Sequence, residues 1–124
     1  MKRTLAFTLL ALIAPFLAHA ADPPLFHLAV KNVPVENGNM LDIEFKEVER
    51  TPESSTVQIV RRAGGSVSSS LFVARGICGL ARARGQQYVT GERIDKEHMR
   101  VTFPATPPEP DKGFTMAQCA LLHY

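Results

Sequence analysis

Residues 56–90 read TVQIVRRAGGSVSSSLFVARGICGLARARGQQYVT, and this stretch decides the fold. Its opening, Thr56 to Arg62, carries Val57 and Ile59 two apart, the period of a half-buried strand. Ala63-Gly64-Gly65-Ser66 breaks that strand. A helix is expected from about Val67 to Arg84. Val67, Leu71, Ala74, Cys78 and Ala81 recur at spacings of four, three, four and three and form one apolar line. Val73, Ile77 and Leu80 widen the arc, and Ser68, Arg75 and Arg82 lie on the opposite stripe. Ser66 or Ser68 can cap the start, and Gly85 stands where a left-handed cap is expected. Gly76 and Gly79 each weaken a helix by roughly 1 kcal/mol relative to Ala, which suggests that another backbone comes close there. Tyr88 and Val89 then belong to a returning strand between Gln86 and Ile94. A strand–helix–strand unit of this length brings its two strands parallel.

Outward from this unit the chain reads as strands. Leu25 to Lys31 is a short apolar run, and Asn32 to Asn39 is a turn or loop. Met40 to Arg50 alternates, with Leu41, Ile43 and Phe45 on one side and Asp42, Glu44 and Lys46 on the other. After the polar turn Asp95-Lys96-Glu97, His98 to Phe103 alternates again. Pro104 to Lys112 holds four prolines and reads as an extended, exposed loop. Phe114 to His123 is expected as the last strand, with Cys119 on the face where the helix lies. The fold class is therefore α+β: one mixed or mostly antiparallel sheet of about five or six strands, with one main helix, about residues 67–84, packed on one face.

The run Thr56 to Val60, the Gly64-Gly65 break, the helix with Arg75 and small residues, Gly85 and the strand around Tyr88-Val89 resemble a group of small bacterial envelope proteins. Several of those are lipoproteins with a strand, an Ala-rich helix, a Gly and a second strand. The resemblance spans residues 56–94 and implies an α+β envelope domain. It carries no catalytic residues with it. The lipid-bearing Cys of such lipoproteins has no counterpart here.

The N-terminus reads Met-Lys-Arg, then an apolar stretch from Leu5 to Leu17, then Ala18-His19-Ala20. Two cations, an apolar segment and small residues before a cleavage point make a signal peptide over residues 1–20, with the working domain at 21–124. The alternative is an uncleaved anchor, but Thr8 and Pro15 interrupt a stretch already short for a bilayer. No second apolar stretch of that length follows, so no transmembrane anchor is expected after cleavage. The compact basic start points to a bacterial periplasmic or secreted protein. Cleavage leaves 104 residues and lowers the formal charge from +2 to 0, which argues against nucleic acid as a partner. Charge is still uneven: 21–55 holds seven acids and three bases, while 56–100 holds eight bases and three acids. Two solvated faces explain this; so does a basic face for an anionic partner.

Cys78 and Cys119 are the only cysteines. In an oxidising compartment an even pair forms a disulfide, here expected to staple the helix to the last strand. Other chemistry is sparse. Arg61, Arg62, Gly64, Gly65, Ser66 and Ser68 surround a strand-to-helix turn whose amides and hydroxyls can hold an anion; the plainer reading is a turn plus an N-cap. The Walker and dinucleotide patterns are absent. His27, His98 and His123, with Met40, Met99 and Met116, are periplasmic copper-ligand types, but no pair has ligand spacing, so no metal site or cofactor is assigned. Asp42, Glu44, Glu47, Glu49 and Glu53 cluster on one strand and its exit, where charges on the wet side of a strand are the rule and paired catalytic carboxylates the exception. The serines from Ser66 to Ser70 lack a nucleophile elbow. The expected function is an exported, non-enzymatic envelope interaction or binding module whose partner is another envelope or secreted protein. Alternatives are a periplasmic inhibitor or immunity protein, suited to the exposed proline loop, and a small anion or metal binder.

Overall fold

Strand β2, Met40–Arg50, organises the molecule, because its alternation separates one apolar face from one charged face. A computed structural model of the chain describes residues 23–122. The expected signal segment, its cleavage point and His123 lie outside the described residues. Before β2 come β1, His27–Pro34, and a single 3-10 turn, Glu36–Gly38. After it come β3, Ser54–Ala63; helix α1, Ser66–Ala83; β4, Tyr88–Arg93; β5, His98–Thr102; β6, Gly113–Thr115; and a short helix α2, Met116–Ala120. The six strands form one sheet in the order β1-β2-β3-β5-β4-β6, and every ladder is antiparallel. The α+β class and the single main helix are as expected.

The strand–helix–strand unit has an unexpected outcome. β3 and β4 both run antiparallel to β5, so they are parallel to each other, but β5 lies between them. The tight Asp95–Glu97 turn folds β5 back beside β4 and inserts it into the gap that the helical crossover leaves. Two bulges shape β2 and β3. Arg62 is the extra residue between the pairs Ile43↔Arg61 and Asp42↔Ala63, and Val48 is the extra residue between Glu47↔Val57 and Glu49↔Thr56.

The core is one cluster on one sheet face. Leu41, Ile43, Phe45, Val57, Val89 and Val101 come from the strands, Phe103 from the residue just after β5, and Phe72, Ile77, Leu80 and Ala81 from α1. The face of α1 that meets the sheet differs from the line read in the sequence. Ser69, Phe72, Gly76 and Leu80 are buried, whereas Val67 is 71% and Leu71 39% exposed. Positions 67 and 71 lie roughly half a turn away from 76 and 80 on a 3.6-residue helix. A tally of apolar side chains misses the contact that sets this rotation, because Gly76 contributes no side chain. It receives the ring of Phe45, rather than another backbone as the sequence suggested. Of the outer line only Cys78, bonded to α2, and Ala81, part of the core cluster, are buried.

Cys78 and Cys119 form a disulfide, with Cα atoms 5.6 Å apart and both side chains fully buried. Its geometry corrects the expected C-terminal strand. β6 ends at Thr115, which caps α2 by accepting from the Gln118 N–H, while the Gln118 side chain accepts from the Thr115 N–H. This reciprocal capping box turns the chain into a helix one turn before Cys119. The disulfide therefore joins α1 to α2. The other end of α1 behaves as expected. Gly85 has φ +67°, its N–H donates to Arg82 O and the Gln86 N–H to Ala81 O, the bond pair of a Schellman cap.

One charged residue lies on the core side. Glu47 follows Leu41, Ile43 and Phe45 in the same alternation and is 3% exposed. Burial alone would push its carboxyl up. Bonds from Arg50, Ser55 and the Phe26 N–H outweigh that and hold it at about 2. Arg84 continues the network from the end of α1. It donates to Ser54 O and Ser55 Oγ and stacks 4.9 Å over the Phe103 ring.

Candidate functional site

The strand-to-helix turn holds an anion from the protein's own chain. Gly64, with φ +147°, carries the chain out of β3, and Gly65 is the N-cap of α1 without a side-chain hydroxyl to offer. The carboxylate of Glu36, reaching across from the β1–β2 connection, fills that role. The Ser68 N–H donates to Glu36 Oε1 at 3.3 Å and the Ser68 hydroxyl at 3.2 Å. A Cβ at position 65 would collide with this carboxylate, so glycine is what admits it. Bonds from its own backbone N–H and from that of Ser68 lower the Glu36 carboxyl below its usual range. The helix dipole thus meets a built-in negative charge. Ser66 is exposed at the first turn.

The two arginines before the turn go to different places. Arg62 donates to Glu44 at 2.6 Å and to Asp42 at 3.3 Å, on the sheet face away from the helix. Arg62 and then His27 draw the Glu44 carboxyl down to about 2. Arg61, opposite Ile43, faces the helix side and lines a groove of about 430 Å3. The six residues of the sequence-level anion site therefore divide among a capped helix start, an ion pair on the outer face and this groove.

The groove arises from a mismatch of lengths. β3 extends to Ala63, but its ladder with β5 ends at Gln58↔His98, with one further bond from the Ile59 N–H to Glu97 O. The β4–β5 turn stops there, and the first half of α1 passes above the notch. Ile43, Ile59, Val73 and Met99 make an apolar floor. Arg61, Arg93 and Lys96 stand exposed at the rim with the acids Asp95 and Glu97, and none of the three cations has an ion-pair partner among the described residues. Asp95 is occupied: its carboxylate accepts from the Glu97 and His98 N–H groups and meets His98 Nδ1, bonds that lower its pKa. In the wall, Ser69 is 5% exposed and its hydroxyl has no hydrogen-bond partner among the described residues. A buried polar group left so costs about 1–3 kcal/mol. The volume lies within the range of ligand clefts.

Sequence reasoning named Arg61 and, among the serines from Ser66 to Ser70, Ser69, but not Arg93 or Lys96 as site residues. The signal that pointed to them was the excess of bases between residues 56 and 100. The other candidates are dispersed. His27 bonds Glu44 at 2.9 Å and His98 bonds Asp95, and the described residues hold no cluster of three metal-ligating side chains. Among the acids, Asp42 and Glu44 lie on the outer face with Arg62, while Glu47 lies inside with Arg50. No described helix is long and apolar enough to cross a membrane. No family model, curated protein or solved structure matches the chain.

Proposed function

We propose that this chain is an exported, non-enzymatic binding module of the bacterial envelope, and that it meets another envelope or secreted protein through the groove between α1 and the β4–β5 turn. One observation carries the reading: an apolar floor whose rim holds three cations without an ion-pair partner among the described residues, outnumbering the rim acids Asp95 and Glu97. Charges at the exposed rim of an apolar cleft steer and orient a partner, while the floor supplies area to bury. The buried disulfide supports export, because such bonds persist in oxidising compartments. The uncapped line of α1 and the outer sheet face lack this combination of floor and rim.

A photo-crosslinking amino acid tests the reading. It is placed at Ser70, exposed in the groove wall, and, as a control, at Glu92, exposed outside the groove. Irradiation of the exported protein in its native host should give a discrete adduct from position 70 and none from position 92. No adduct, or equal adducts at both positions, rejects the groove as the binding element.

A further inference from the structure

We propose that the occupant of this groove is an extended, acidic segment of the partner, added as a strand to the open edge of β3; the inference rests on the groove being the binding element. Val60 to Ala63 pair with β2 through Glu44↔Val60, Ile43↔Arg61 and Asp42↔Ala63, and on the other side β5 has already turned away. Among the described residues nothing pairs with that edge beyond Ile59. About 13 Å of strand is thus left open inside the sheet, at the height where β5 would have continued. An unpaired edge is a template for another strand, and strand addition is a standard mode of peptide capture.

The side chains fit the same occupant. Alternate residues of an added strand point to one face. Here that face is the floor of Ile59, Val73 and Met99, so every second residue is apolar. Arg61, Arg93 and Lys96 line the path of the segment and outnumber the lining acids Asp95, which is engaged by the Glu97 and His98 amides, and Glu97. Acidic residues at the remaining positions complement this rim. An anionic amphiphile would use the floor and the cations but leave the β3 edge unpaired, so the strand accounts for more of the site.

Fluorescence anisotropy tests the proposal with an equimolar pool of labelled, end-blocked octapeptides in which Asp or Glu alternates with Val, Thr or Phe. Amide hydrogen exchange of Arg61, whose N–H faces the open edge as that of Ile59 faces Glu97, is followed in parallel. The pool should bind and slow that exchange at least tenfold. The same pool N-methylated at its fourth and fifth residues, which blocks both strand edges, should bind at least tenfold more weakly. The double variant R61E/K96E changes two exposed side chains; it should lose the acidic pool and bind a pool with Lys in place of the acids. That gain separates a charge effect from misfolding. Equal binding of the N-methylated pool, unchanged exchange at the Arg61 amide, or no binding of the acidic pool overturns strand addition, and so does displacement of the pool by dodecyl phosphate with the Arg61 amide left unprotected. Those outcomes leave the groove itself standing if position 70 still crosslinks; loss of that crosslink removes the underlying reading.

Discussion

The ring of Phe45 occupies the space that a side chain at position 76 would need: a Cβ built on Gly76 would lie 2.5 Å from Phe45 Cδ2. Phe45 is fully buried on β2, so the helix approaches that strand only because residue 76 has no side chain. This contact sets the rotation of α1 and therefore which residues face the groove.

Gly76→Ala tests that contact. On an exposed helix the change would stabilise by roughly 1 kcal/mol. Here the methyl meets a ring with no room to retreat, and overpacking of this kind costs about 1–3 kcal/mol. A lower urea midpoint is expected, with an unchanged slope. A midpoint at or above that of the wild type would show that Phe45 does not fix the helix.

Removal of the disulfide should destabilise the domain strongly. The bridge spans 41 residues. In the chain-entropy model a loop of that size contributes roughly 4 kcal/mol. Cys78→Ala with Cys119→Ala should lower the unfolding free energy by about 3–5 kcal/mol and expose the apolar line of α1 under α2. Equal urea midpoints for the oxidised and double-alanine proteins would contradict this.

Glu47 predicts an acid limb of stability. Its folded pKa of about 2 lies below the ordinary value of 4.5, so the unfolded chain binds the proton first as pH falls. The stabilisation is whole above about pH 4.5 and is lost as pH drops through about 2. Glu47→Gln should flatten that limb and cost about 1–3 kcal/mol at pH 7, because Ser55 and Arg50 keep a poorer acceptor. Equilibrium urea curves between pH 2 and 7 give the comparison. An unchanged pH profile in the variant would assign the limb to other carboxylates.

Glu36 predicts a site that opens only on mutation. Glu36→Ala leaves the Ser68 N–H and the start of α1 without their carboxylate. The thermal midpoint should fall, and sulfate or phosphate should restore part of it by occupying the vacated helix start. Wild-type protein should show no such specific gain over a chloride control. A variant insensitive to sulfate would show that the turn has no anion affinity of its own.

Much of the fold follows from local pattern. The alternation of Leu41, Ile43 and Phe45, the Gly64-Gly65 break and the left-handed Gly85 are properties of short segments, and each is where the pattern puts it. The same alternation, carried one step further, places Glu47 inside, although its acidic neighbours suggested a wet cluster. For the site, the excess of bases between residues 56 and 100 was legible. Its division between Arg62 on the outer face and Arg61, Arg93 and Lys96 around the groove was not, because a bulge separates adjacent residues and a hairpin turn brings distant ones together.

The sequence by itself determined the segments from β2 to β5, the paired cysteines and the α+β class, because backbone preference and the spacing of apolar residues act over a few positions; the capping box at Thr115 and Gln118 is as local, but the apolar run around it reads as a strand. Only the tertiary structure decided that β5 enters between β3 and β4, that Val67 and Leu71 turn outward, and that Glu36 caps α1 from 32 residues away. These depend on which surfaces meet. A glycine facing a ring, or a carboxylate facing a helix start, leaves no periodic trace in the chain.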